Sequence, residues 1–181
     1  MSESSKGNTA STIVAIVPPD DILDVFEPLF SKQVSERTPH ITIAYVGQTT
    51  VKEFGQIVTT LADTVEEHFR PLRLGFEGAG CFDSGDQRVK FALVNGEDLD
   101  KWAYHAKQAL IEIGVHVARQ AIIPHLTLSY TDELQDNWEE PLLETCGMSW
   151  ICTQVVVLRG SNKVRFNVPA PDPLTGRNTN S

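Results

Sequence analysis

Pro39-His40-Ile41-Thr42-Ile43-Ala44-Tyr45 returns later in the chain as Pro124-His125-Leu126-Thr127-Leu128-Ser129-Tyr130. Residue class agrees at every position: proline, histidine, aliphatic, threonine, aliphatic, small, tyrosine. Both copies alternate with the period of two that a β-strand imposes. Read this way, His40, Thr42 and Ala44 share one face and Ile41, Ile43 and Tyr45 the other; His125, Thr127 and Ser129 stand likewise against Leu126, Leu128 and Tyr130. With the aliphatic face in the core, an imidazole and a hydroxyl about 7 Å apart point outward from each strand. Each strand then offers one proton-transfer group and one hydrogen-bond donor, and the two heptads together predict one site.

Outward from the first heptad, residues 12–17 read as a buried strand ended by Pro18-Pro19, which cannot donate to a ladder. Asp20 is placed to cap a short helix with Ile22, Leu23, Phe26, Leu29 and Phe30 on one side, and a polar loop follows. Thr50-Val51-Lys52-Glu53 has the spacing of a capping box. Phe54, Ile57, Val58, Leu61, Val65 and Phe69 continue at helical spacing, which predicts an amphipathic helix of about five turns ended by Pro71. Leu72, Leu74 and Phe76 alternate into a strand that reaches Gly78-Ala79-Gly80. After a turn at Asp83-Ser84-Gly85-Asp86, Val89, Phe91 and Leu93 alternate with Arg88, Lys90 and Ala92.

A second amphipathic helix carries Leu99, Trp102, Ala103, Ala106, Leu110 and Ile113 and stops at Gly114, just before the second heptad. Residues 131–144 are acidic and read as a solvated loop, with a lid as the alternative use. Residues 150–158 read as one Val-rich strand, joined through Gly160-Ser161-Asn162 to a last strand carrying Val164, Phe166 and Val168. Strands paired through tight turns predict an α+β fold with antiparallel sheet rather than a doubly wound parallel one. Two halves of similar make-up, each with one heptad, predict two pseudo-symmetric lobes facing one another.

The chain has 181 residues, of which 41% are apolar, enough for one compact domain over residues 12–168. Residues 1–11 and 169–181 lack apolar periodicity and are expected to be disordered. No 20-residue apolar run and no charged-then-apolar leader is present, so the expectation is a cytosolic protein with no membrane partner. Cys81, Cys146 and Cys152 are odd in number and lack Cys-x-x-Cys spacing, which predicts reduced core or near-core thiols. A formal charge of −9 without a run of Lys or Arg disfavours a long nucleic-acid duplex as partner but is compatible with a small anionic ligand. Nothing in the sequence sets the oligomeric state; a monomer is the default.

Displacement at a phosphodiester needs one proton removed from the attacking oxygen and one delivered to the leaving oxygen. Two imidazoles with ordinary pKa values near 6.5 can supply both at neutral pH. The hydroxyls of Thr42 and Thr127 would donate to the non-bridging oxygens, where charge builds in the transition state. That scheme requires neither metal nor cofactor.

At these residues the chain resembles the two-histidine phosphoesterase superfamily, and within it the bacterial RNA 2′,3′-cyclic phosphodiesterases once described as 2′-5′ RNA ligases. His40-Ile41-Thr42-Ile43-Ala44-Tyr45-Val46-Gly47 looks like the first motif, Pro124-His125-Leu126-Thr127-Leu128 the second, and Arg88-Val89-Lys90-Phe91-Ala92 is similar to the mid-chain strand. The resemblance spans about residues 12–168. It implies two lobes with outer helices around a central cleft, His40 and His125 as the acid–base pair, and Thr42 and Thr127 as phosphate ligands. The implied substrate is a small nucleotide or oligonucleotide, foremost a 2′,3′-cyclic phosphate. Relatives in the superfamily also cut 2′-5′ or 3′-5′ linkages and cyclic-nucleotide signals. Bacterial members often carry a basic residue shortly after the second motif, where this chain has Tyr130.

Further candidate contacts each have an ordinary counterpart. Arg88 and Lys90 would bring charge to the cleft or sit on a solvated face; Tyr45, Tyr130 and Trp150 would meet a base or pack in the core. A catalytic zinc would need three protein ligands, and His68, His105 and His116 show no useful spacing to either heptad. A different class of reading, a nucleotide-binding module without turnover, uses the same residues as a ligand cradle.

Overall fold

The structure, a computed structural model, describes residues 9–170. Most of the two terminal segments expected to be disordered lies outside that range, although the first strand already begins at Ala10. Eight strands run antiparallel: β1 (Ala10–Ile16), β2 (Ile41–Thr49), β3 (Leu72–Ser84), β4 (Gln87–Asn95), β5 (His125–Thr131), β6 (Ser149–Cys152), β7 (Gln154–Arg159) and β8 (Asn162–Asn167). Their spatial order is β6-β3-β4-β5-β2-β1-β7-β8. The two heptads therefore stand side by side at the centre, β2 beside β5. A single residue pair, Ile41 opposite Leu126, joins them. These are the same position of the two heptads, so a pseudo-two-fold axis passes between them and relates one four-stranded half to the other.

The symmetry extends into the register. Ile16 pairs with Ile41, Ala15 with Thr42 and Val14 with Ala44, which leaves Ile43 as the extra residue of a bulge. Ala92 pairs with Leu126, Phe91 with Thr127 and Lys90 with Ser129, which leaves Leu128 in the equivalent place. Beyond a bulge the side-chain phase reverses. Ala44 and Val46 accordingly turn into the core, and Tyr45 emerges 47% exposed on the face of Thr42. This corrects the strict alternation that put Tyr45 and Tyr130 with the aliphatic residues. Tyr130 pairs with Val89, which lies two residues from Phe91 and so on the face of Thr127.

Among the described residues, five α-helices accompany the sheet, α1 (Asp20–Phe26), α2 (Lys32–Ser35), α3 (Val51–His68), α4 (Leu99–Glu112) and α5 (Glu140–Leu143), and a 3-10 turn (Glu27–Leu29) follows α1. The capping box forms as its spacing implies, with Glu53 N–H donating to Thr50 Oγ1 at 3.2 Å and Thr50 N–H donating to Glu53 Oε2 at 2.7 Å. In α3 and α4 the apolar stripes bury Ile57, Leu61 and Val65 together with Trp102, Ala106 and Leu110 in one core with Ile41, Ile43, Leu126 and Leu128 of the heptads. Phe69, just past α3, stacks on Trp102 at 4.6 Å and ties the two helices together. Each such side chain, fully buried, stabilises the fold by about 1.5–3 kcal/mol. The aliphatic face of the heptads is thereby anchored, which leaves the histidine–threonine face free.

Other expectations change. The polar loop before the first heptad contains the short α2, and Pro19 rather than Asp20 occupies the cap of α1. Residues 150–158 are two strands that part at Thr153, β6 pairing with β3 at one edge and β7 with β1 in the other half. Trp150 thus belongs to the core, 9% exposed and 5.4 Å from the ring of Phe76, not to a base-stacking site. Of the cysteines, Cys152 is buried and its thiol is pushed up to about 11 by that burial, whereas Cys81 and Cys146 are exposed. No helix among the described residues is long and apolar enough to cross a membrane.

Candidate active site

Prolines 39 and 124 set the geometry of the two histidines. A proline forces the residue before it into extended backbone, which here aims the preceding carbonyl at the following imidazole. His40 Nδ1 lies 2.7 Å from the Thr38 carbonyl oxygen, and His125 Nδ1 lies 2.7 Å from that of Ile123. A carbonyl only accepts, so Nδ1–H is the donor in both rings and Nε2 is left to act on a substrate. Two histidines in the same tautomer, related by a pseudo-two-fold axis, can exchange the roles of acceptor and donor by charge alone.

Antiparallel register about the Ile41–Leu126 pair sets His40 opposite Thr127 and Thr42 opposite His125, all on one face. Each histidine therefore faces the threonine of the other heptad. His40, Thr42, His125 and Thr127 are all partly buried. Burial holds the His40 pKa below its ordinary value; the hydrogen bond to Thr38 partly opposes this, and the charges of His125 and Arg37 add to the lowering. The electrostatic effect of His125 on His40 couples the two rings.

Two aromatic residues that sequence reasoning left out complete one side. Phe91 pairs with Thr127, and its ring centroid lies 4.8 Å from that of His125. Phe82 meets the same imidazole edge-on at 5.6 Å and is 43% exposed. Gly80 makes this possible: a Cβ there would fall 2.5 Å from the Phe91 ring, so only glycine lets the ring lie across β3. The Gly80 strand position opposite Phe91 was the available signal, but it has meaning only once the β3–β4 register is known.

Arg88 and Lys90 do not join the histidines. Phe91 and Leu93 of β4 pair with Thr127 and His125, so Arg88 and Lys90 project from the opposite face. Arg88 makes an ion pair with Asp83 at 3.4 Å, and Lys90 sits 5.4 Å over the ring of Trp138 from the acidic loop. The strand alternation was read correctly; the face on which the cleft lies was not available from it. Tyr45 and Tyr130 do share the histidine–threonine face. Among the remaining histidines, His68 and His105 stack on one another at 4.3 Å between α3 and α4, and His116 lies in an exposed loop. Among the described residues, no three His, Cys, Asp or Glu gather in a way that could hold a metal ion.

The chain as a whole has counterparts among known proteins. The model of the 2′-5′ RNA ligase superfamily matches residues 18–163, a span that contains both heptads. The chain belongs to that superfamily. Several solved structures share its fold. TT0787 of Thermus thermophilus superposes with a TM-score of 0.65 at 16% identity, over 90% of this chain and 100% of that one. LigT of E. coli in its apo form gives 0.60 at 14%, over 90% and 96%, and Usb1 of Kluyveromyces marxianus 0.57 at 8%, over 89% and 98%. No curated protein sequence matches the chain.

Proposed function

We propose that the protein is a metal-independent phosphodiesterase that hydrolyses a small nucleotide phosphodiester, foremost a 2′,3′-cyclic phosphate. The observation that carries this reading is the pair of imidazoles, each with Nδ1 tied to a backbone carbonyl and Nε2 left over, one on either side of a pseudo-two-fold axis. His40, held toward its neutral form by burial and by neighbouring positive charge, is the base. Its Nε2 takes a proton from water as the water oxygen bonds to phosphorus. His125 is the acid: its Nε2–H passes a proton to the ribose oxygen as the bond from phosphorus to that oxygen breaks. The product is a phosphomonoester on the ribose.

Thr42 and Thr127 donate to the non-bridging oxygens, whose charge rises as the fifth bond forms. Phe82, exposed beside His125, offers a flat apolar surface on which a base can stack, a contact generally worth about 1–3 kcal/mol per base. A nucleotide ligand also agrees with the superfamily: LigT has been crystallised with 3′-AMP, with NADP+, with phosphate and with ATP.

Product analysis in the presence of a chelator tests the proposal. Offered 2′,3′-cyclic mononucleotides, 2′-5′ oligoadenylate and cyclic di- and trinucleotides, the wild-type protein is expected to open the 2′,3′-cyclic ring to a single monoester. Cleavage confined to the oligonucleotides or cyclic dinucleotides would keep the mechanism and move the substrate. Binding without turnover would favour the ligand-cradle reading, and turnover abolished by the chelator would refute the metal-free scheme.

A further inference from the structure

The loop that leads into the second heptad does not close fully against α4. Where β2 and β5 part after their single residue pair, the loop runs beside β2, with Ala118 N–H donating to the Tyr45 carbonyl at 2.9 Å. Between this loop, α4 and β2 lies a cavity of about 330 Å³, within the range of small-molecule sites. Its lining is mostly apolar: Ile43 from β2, Leu99 and Ala103 from α4, and Ala121, Ile122 and Pro124 from the loop. Ile43 and Leu99 belong to the apolar core, so the cavity lies on the helix side of β2, behind the histidine–threonine face. Of His40, Thr42, His125 and Thr127, Thr42 alone borders it.

The two ends of the cavity differ in charge. Leu99, Ala103 and Lys107 are spaced four apart, so they form one stripe of α4 that runs about 12 Å. Asp100 borders the first end, where its carboxylate accepts the backbone N–H of Lys101 at 2.9 Å. Lys107 borders the other end and donates to the Gln120 carbonyl at 3.2 Å; an ammonium carries three donors, so others remain for a ligand. Arg119 lines the neighbouring hollow that Lys107 shares, and neither cation makes an ion pair among the described residues. Tyr104, 59% exposed, also lines the cavity, its ring set edge-on to His105 at 5.5 Å. An aromatic ring, apolar walls and one positive end are complementary to one kind of molecule.

We infer that this cavity is a second ligand site, separate from the histidine–threonine cleft, for a flat, largely apolar molecule that carries one anionic group at the Lys107 end. The inference is independent of the reaction at the histidines. Its occupant nonetheless lies against Ile122 and Pro124, which flank the residue whose carbonyl holds His125 Nδ1.

Two dyes test it. 8-Anilinonaphthalene-1-sulfonate has the required shape and charge, and N-phenyl-1-naphthylamine is the same body without the sulfonate. Each would be titrated by fluorescence into the wild-type protein, A103F, A121F, K107M and, as a control in the cleft, F82A. Wild type and F82A are expected to bind the sulfonate at one saturable site, about 3- to 10-fold more tightly than the neutral dye. A103F and A121F fill the cavity from the helix and from the loop, and each should weaken both dyes by about tenfold or more. K107M should keep the neutral dye and lose the preference for the sulfonate. Melting temperatures identify a variant that does not fold, and the two filled variants act from separate elements, so either alone decides the point. No saturable binding or no preference in the wild type, binding that survives filling of the cavity, loss of binding in F82A, or a preference that persists in K107M would overturn the inference.

Discussion

His40→Ala and His125→Ala are each expected to lower kcat for opening of a 2′,3′-cyclic phosphate by about a hundred- to ten-thousandfold, the usual range for losing a positioned acid or base. The double variant should lose far less than the product of the two single losses, because the groups act as one unit. Neither ring packs in the apolar core: both are partly buried at the head of a strand and held by a carbonyl two residues back. Melting temperatures close to wild type should therefore accompany the loss. A substrate with a good leaving group separates the roles. A 4-nitrophenyl phosphodiester needs no proton on its departing oxygen, so it should restore much of the His125→Ala rate and little of the His40→Ala rate. Equal rescue of both variants would mean that the roles are not divided as assigned.

Thr42→Val and Thr127→Val come next in size. Valine keeps the shape of threonine and removes the hydroxyl, so the test isolates the hydrogen bond. Losing one donor to a developing oxyanion typically costs about a hundredfold or more in kcat. Symmetry predicts similar losses at both positions, since each threonine occupies the same register before an equivalent bulge. KM should change much less than kcat, and Thr→Ser should recover a substantial part of the rate in steady-state assays. A loss confined to KM would identify the hydroxyls as ground-state ligands only.

The parts of this site that could be read from sequence are those written in short-range pattern. The heptads announced themselves by repetition, the helices by the spacing of Ile57, Leu61 and Val65 or Trp102, Ala106 and Leu110, and the start of α3 by Thr50 and Glu53. What escaped depended on register between distant strands. The bulges at Ile43 and Leu128 shift the phase of each heptad midway, so counting in twos misplaced both tyrosines. Arg88 and Lys90 alternate as expected, but the face that holds the cleft is decided by the pairing of β4 with β5. Thr153 divides a run of continuous β propensity because its two sides belong to opposite ends of the sheet. Phe82 and Arg37 carry no local mark at all: each matters because of the histidine that the fold brings to it.

The most direct test of the central claim, that His40 and His125 work as a base and an acid across one site, is the pH dependence of kcat/KM measured in chelator. His40 must be neutral to accept a proton, so activity should rise with pH through its pKa. Burial and positive neighbours place that rise below the ordinary histidine value of 6.5. Activity should fall again at higher pH as the acid loses its proton, giving a bell whose limits belong to the coupled pair. The predicted result is such a bell in wild type and a residual profile without its acidic limb in His40→Ala. A flat wild-type profile, or the same acidic limb persisting in His40→Ala, would contradict the account.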